Sequence, residues 1–189
     1  MRKYNKQDLF RYEGAKCNRL LTQLRYVLFV PGFQYIYCFR HAQNASNIVT
    51  RFFWMAVLRF MMYQTSIQIP YQTKIGPGFK IDHWGTIVVN PATKIGKNFV
   101  VAQGCLLGNS QGKRKGVPTI GDNVKMGANS MIVGNANIGN DVLIAPGAFC
   151  NFDVPDNCIV VGNPGKIIQR DSSPTKKYIV YPVEDFDKK

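Results

Sequence analysis

From Ile69 onward the chain places an aliphatic or similarly small apolar residue at every sixth position: Ile69, Ile75, Ile81, Ile87, then Ile95, Val101, Leu107, then Ile120, Met126, Ile132, Ile138, Ile144 and Cys150. The register slips twice, by two extra residues between Ile87 and Ile95 and by a longer insertion between Leu107 and Ile120. Glycine follows the apolar position at Gly76, Gly96, Gly121, Gly127 and Gly139, and Asn or Asp stands three positions after it at Asn98, Asn123, Asn129 and Asp141. These residue types tolerate positive φ and bond readily to their own backbone, so each repeat carries a turn. A period of six with a turn in every repeat predicts short parallel strands coiled into a β-solenoid, each apolar residue pointing inward onto its equivalents in adjacent coils. An α-helix is excluded by the period and by glycines that would each cost about 1 kcal/mol. A β-sandwich is excluded because its strands alternate at period two.

Residues 1–66 lack this repeat and carry apolar positions at helical spacing, such as Leu20, Leu21, Leu24, Val27 and Leu28, then Phe52, Phe53, Met55, Ala56, Leu58 and Met62. They predict two to four helices, broken at Pro31-Gly32, that pack on the solenoid and cap its first coil. Packing in the core or against another copy is the preferred reading of Phe52 to Met62, and a membrane-surface segment is the alternative. The expected organisation is a helical region over 1–66, a solenoid over 67–170 with a loop at 108–118, and a tail over 171–189. In the tail, Asp171 to Lys177 reads as a polar linker, and Tyr178 to Phe186 as either a docked strand or a loose end.

The 189 residues, 46% hydrophobic and 19% charged, suffice for one domain with a real core. Arg51 and Arg59 interrupt the most apolar stretch, Ile48 to Tyr63, so no membrane span is expected. The start Met1 to Lys6 is basic without a following compact apolar segment, so no secretory signal is read and a cytoplasmic location is expected. The net charge is +13, densest at the N-terminal end: residues 1–66 carry ten basic and two acidic residues, and 67–189 carry fourteen and nine. Such an excess admits nucleic acid, a membrane surface or a phosphorylated small molecule as partner. No zinc-finger spacing, aromatic RNA-binding motif or basic heptad is present, so nucleic acid is not expected. Cysteines 17, 38, 105, 150 and 158 are odd in number with no Cys-x-x-Cys, which argues against a disulfide framework or a zinc site. With only His41 and His83, no three-histidine metal centre can form within one chain.

His83 lies in Ile81-Asp82-His83-Trp84-Gly85, just past an inward position and so near a corner of the coil. An imidazole there could act as a general base, with Asp82 beside it, or could be an ordinary surface histidine. His41, in a predicted helix, reads as packing.

Ile-Gly-x-Asn-Val-x-Met-Gly-Ala-Asn (120–129) and Ile-Gly-Asn-Asp-Val-x-Ile (138–144) resemble the hexapeptide-repeat acyltransferases, whose coils form a left-handed triangular prism. The resemblance implies a left-handed parallel β-helix of about four coils, with the loop 108–118 projecting from one corner. Lys74-Ile75-Gly76, Ile81-Asp82-His83 and Ile87-Val88-Val89 further resemble the serine O-acetyltransferase branch, whose pattern is Lys-Ile-Gly, Leu-Asp-His-Ala-Thr-Gly and Ile-Val-Val. Upstream, Gly32-Phe33-Gln34 and Phe39-Arg40 match an element of that family's helical domain. By this resemblance His83 is the general base that deprotonates the acceptor hydroxyl, Asp82 contacts the acceptor, and acetyl-CoA is the acyl donor, with no metal. Gln68 stands where the family's histidine-orienting aspartate is expected, and Val117 where a second histidine is expected.

For CoA phosphates and the pantetheine arm, cationic side chains and free N–H groups are the expected receptors. The candidates are Lys113 and Arg114 in the loop with Gly108 at its start, Ala128 and Ala145 at turns, and Lys166 in Val161-Gly162-Asn163-Pro164-Gly165-Lys166, which resembles the family's closing element. The resemblance implies transfer to L-serine, in cysteine biosynthesis, by a homotrimer with a shared groove, and leaves open a dimer of trimers. A branch that acetylates sugar hydroxyls in exopolysaccharide assembly is the alternative, because no acidic residue lies between Glu13 and Asp82 to meet an amino-acid ammonium. Docking to cysteine synthase is not expected, since Asp187-Lys188-Lys189 lacks the terminal isoleucine used for it. A non-catalytic scaffold is the reading from another class, and the fold's metal-dependent hydratases are set aside for want of histidines.

Overall fold

The computed structural model describes residue 1, residues 3–186 and residue 188; Arg2 of the basic start, and Asp187 and Lys189 of the terminal motif, lie outside the described residues. Four helices come first: α1 (Lys3–Glu13), α2 (Leu20–Phe29), α3 (Pro31–Gln43) and α4 (Ile48–Thr65). Pro31 takes the first position of α3, where its fixed φ suits a helix and its missing N–H costs nothing. Asn47 caps α4 by accepting the Thr50 N–H at 2.9 Å.

Short strands then wind into a prism with three faces, which we label A, B and C in the order the chain meets them. Face A stacks Val89, Leu107, Ile132 and Cys150 in parallel register. Face B stacks Ile75, Ile95, Ile120 and Ile138, and face C stacks Ile81, Val101, Met126 and Ile144. All of these side chains are buried, which is why a six-residue apolar period folds this way: each rung hides one residue per face under its successor. The expected turn residues Asn98, Asn123, Asn129 and Asp141 all hold φ between 56° and 59°.

Two details of the register differ from the sequence reading. The two extra residues sit between Ile81 and Val89, not between Ile87 and Ile95, because Val89 is the residue that stacks on Leu107. Ile87 is also buried, two positions earlier on the same strand, so the spacing alone could not tell the two apart. The corner that carries His83 is therefore the lengthened one. The ladder also continues past Cys150, since Val154 bridges Ile138 and Val160 pairs with Ile144, giving five rungs on face C rather than about four.

A solenoid's first rung exposes an unpaired strand edge, and here side chains of the helices take the place of a preceding rung. The Tyr12 hydroxyl donates to the Ile81 carbonyl and accepts the Ile81 N–H, both at 2.9 Å. Tyr35 does the same at Ile69, both at 3.0 Å. Asp8 accepts the N–H groups of Gly78 and Phe79 at 2.8 Å, while Arg40 donates to the carbonyls of Ile75 and Gly76 at 2.7 and 2.6 Å. Asp8 and Arg40 bind each other at 2.8 Å and are almost wholly buried. Gly32 brings α3 so close to Ile81 that a Cβ there would stand 3.1 Å from the isoleucine methyl.

The tail is docked. Leaving the last rung, it runs back along the corner between faces B and C, where Ser173 donates to Asp141 at 2.7 Å and Asn98 accepts the Val183 N–H at 2.9 Å. Its short helix α5 (Val183–Phe186) then reaches α1, with Phe186 edge-on to Phe10 at 5.5 Å. The apolar residues of α2 differ from expectation: only Tyr26 is buried, and Leu20, Leu21, Leu24 and Leu28 face outward. His41 packs as read, stacked on Trp54 at 4.3 Å.

Candidate active site

Successive rungs place equivalent residues above one another at the corner where face C turns into face A. Two positions past Ile81, Val101, Met126 and Ile144 come His83, Gln103, Ala128 and Pro146. One position past the inward residues, the N–H always bonds the next rung: Asp82 to Val101, Ala102 to Met126, Gly127 to Ile144 and Ala145 to Val160. The following position is turned out of the ladder. Among the described residues the N–H groups of Gln103 and Ala128 donate to nothing, so the column of His83 continues as a row of free donors. Ala128 thus suits the donor role assigned to it from sequence, whereas Ala145 does not, because its N–H is spent on Val160 at 2.8 Å. Its neighbour Pro146 fills the outward position and has no N–H to offer.

His83 is exposed and makes no hydrogen bond among the described residues. Its corner is held by Asp82 N–H to Val101 carbonyl at 2.9 Å and Gly104 N–H to Gly85 carbonyl at 3.1 Å. Within it Thr86 adopts φ 41°, a left-handed conformation that a β-branched residue rarely takes and that stores strain beside the histidine. In the resembling pattern this position is glycine. Thr86→Gly is expected to leave stability unchanged or raise it by up to about 1 kcal/mol, where glycine at an ordinary strand position costs about that much; urea unfolding of the two proteins reads the difference.

Asp82 is gripped from both sides, by Lys80 at 3.0 Å and Lys125 at 2.5 Å. Burial works to raise its carboxyl, but Lys125 and Lys80 outweigh this and hold it below the usual carboxylate range, so Asp82 is ionised at neutral pH. Lys125 also lies 4.8 Å from the Tyr178 ring centre, which brings the tail to the edge of the site. Sequence reasoning missed both lysines. A signal existed for Lys125: lysine precedes the inward residue at Lys74, Lys80, Lys94 and Lys125, and on face C Lys80 and Lys125 point outward from rungs two apart. An acceptor contact by Asp82 must compete with these two ammonium groups.

Gln68 pairs with Val88 on face A, faces solvent, and among the described residues makes no hydrogen bond to the His83 imidazole. Gly108, Lys113 and Arg114 lie across face A, at the corner with face B, where Ser110 and Gly116 pair to close the projecting loop. Arg114 is bound back to the scaffold, donating to the Asn135 carbonyl at 2.7 Å and pairing with Asp153, which leaves Lys113 as the freer cation. Lys166 is exposed just past the last rung, opposite Val161 in an antiparallel hairpin. One chain therefore joins His83 to Asp82, Gln103 and Ala128 but sets the loop cations at a different corner.

Trp84, the residue after His83, lines a cavity of about 420 Å³ together with Pro31, Gln34, Phe60, Gln64 and Thr65, with Met61 at its wall. The cavity contains amides, a hydroxyl and aromatic faces and no charged side chain. Trp84, 53% exposed, occupies the place of the alanine in the resembling pattern.

A three-faced prism with an open donor row beside a histidine is the architecture of a hexapeptide-repeat transferase. Residues 118–151 match the family model described as bacterial transferase hexapeptide (six repeats). A serine acetyltransferase of Helicobacter pylori is 33% identical over 77% of this chain and 85% of its own length. The serine acetyltransferase of Synechococcus elongatus is 33% identical over 86% of this chain, which spans 65% of that protein. The crystal structure of Neisseria gonorrhoeae serine acetyltransferase superposes with a TM-score of 0.74 at 28% identity, covering 93% of this chain and 69% of that one. The chain belongs to the serine acetyltransferase family, and its prism is the left-handed β-helix of that fold.

Proposed function

We propose that the protein is an acetyl-CoA-dependent O-acetyltransferase that acetylates the hydroxyl of L-serine, with His83 as the general base. The observation that carries this reading is the exposed, unpartnered imidazole at the head of a column whose next two N–H groups are free. His83 takes the hydroxyl proton as the acceptor oxygen bonds to the acetyl carbon, and the departing thiolate recovers a proton from the imidazolium. Acetyl-CoA enters as substrate and supplies the activated thioester. Free donors at Gln103 and Ala128 suit its amide-bearing arm, and the cations Lys113 and Lys166 suit its phosphates. Asp82, fixed by Lys80 and Lys125 and held ionised by them, is the carboxylate offered to the acceptor.

Loop and histidine stand at different corners of one prism, and a groove formed with a neighbouring subunit would bring the loop cations of one copy to the His83 corner of the next. This arrangement fits a homotrimer with a shared groove, and serine as acceptor places the reaction in cysteine biosynthesis, for which we propose a cytoplasmic location.

The uncharged cavity favours a second reading of the acceptor, a sugar hydroxyl. A zwitterionic amino acid calls for charged partners, whereas a pyranose ring suits an indole face and the amides of Gln34 and Gln64. Release of CoA thiol from acetyl-CoA with L-serine and with a panel of sugars separates the two. If the acceptor is a sugar, Trp84→Ala is expected to raise its KM about tenfold, the order of one lost aromatic contact, with kcat little changed. Serine-dependent release that is indifferent to Trp84→Ala identifies the amino acid instead.

A further inference from the structure

We propose that the outward faces of α2 and α4 form a docking surface for an anionic lipid bilayer, on which the protein lies without crossing it. Helix α4 buries only Leu58 and Thr65 fully, and its opposite side is apolar as well. Val49, Phe52, Phe53, Ala56, Phe60 and Tyr63 recur at spacings of one to four residues and all face outward, so a second apolar stripe runs the length of the helix. On α2 the stripe is Leu20, Leu21, Leu24 and Leu28, with Leu21 81% exposed, and Phe29 continues it at 75%. Both helices pack on α3, and Phe29 lies two residues before Pro31, which lines a cavity with Phe60 of α4 and with Trp84, the residue after His83. Exposed patches of this extent mark surfaces that something covers.

Charge decides what covers it. Arg19 and Arg25 flank the stripe of α2, and Arg51 and Arg59 that of α4. Among the described residues none of the four pairs with a carboxylate. No acidic residue occurs anywhere from residue 14 to residue 81. A second copy applied face to face would bring arginines against arginines with nothing to neutralise them. An anionic bilayer offers hydrocarbon to the stripe and phosphates to its border, the pairing that holds interfacial helices in place. Among the described residues no helix is long and apolar enough to cross a membrane, which leaves lying on the surface.

The test is flotation of the full chain with vesicles of phosphatidylcholine alone and of phosphatidylcholine mixed with phosphatidylglycerol. Binding is expected only to the anionic vesicles and is expected to fall with salt. Arg51→Gln/Arg59→Gln should weaken it roughly 30-fold, from about one factor of five per basic residue at the surface. Leu21→Ser/Val49→Ser/Phe53→Ser should abolish it, while thiol release in vesicle-free solution stays at the wild-type rate, since none of these side chains lies at the candidate site. Sedimentation of the same variants without vesicles provides the counter-test. No flotation of the wild type, flotation indifferent to these changes, or a fall in oligomer mass in the apolar variant would each overturn the proposal, the last by making the surface an interface between copies.

Discussion

Replacing His83 by alanine is expected to lower kcat for acetyl transfer by about 10²- to 10⁴-fold, the contribution of a positioned general base. Affinity for acetyl-CoA should change little, because the free N–H groups of Gln103 and Ala128 and the loop cations are untouched. The split matters. A histidine with only a structural part would shift the unfolding midpoint, but this one is exposed and makes no hydrogen bond among the described residues, so its loss should leave stability within about 0.5 kcal/mol of wild type. Thiol release under saturating acetyl-CoA and acceptor, together with thermal unfolding of both proteins, separates the two. Equal kcat in the variant would remove the base assignment, whereas no thiol release from either protein would favour a scaffold.

The largest effect on stability is expected at the join between helices and prism. Asp8→Ala leaves the Arg40 guanidinium, 3% exposed, without its carboxylate and strands the Gly78 and Phe79 N–H groups. Breaking a buried pair from one side costs about 3–5 kcal/mol, a large part of the roughly 5–15 kcal/mol that holds a domain folded. The urea midpoint should fall accordingly. Tyr12→Phe and Tyr35→Phe each remove one edge-capping hydroxyl and are expected to cost less, about 1–3 kcal/mol. If Asp8→Ala cost no more than these, the helices would not be bound to the first rung through this pair.

The solenoid was legible because every rung buries the same kind of residue at the same spacing, so a linear period maps directly onto a three-dimensional stack. Placing the two extra residues was not, since Ile87 and Val89 are both aliphatic and both buried. Only the pairing of Val89 with Leu107 decides that the His83 corner is the long one. The same limit applies to Ala145. Its turn looks like that of Ala128, but it stands one position earlier in the rung, where the N–H is always taken.

The sequence by itself determined the period, the inward residues, the turn positions and, through family likeness, the histidine on which the chemistry is proposed to rest. These are local properties, written in residues a few positions apart. The tertiary structure alone decided what joins distant segments: Asp8 on the first rung's edge, Lys125 on Asp82 across 43 positions, and the tail laid back along the prism to α1. It also decided that α2 and α4 keep an apolar side in the open, because a helix's pattern states how much apolar surface it has, and only packing determines how much of it is covered.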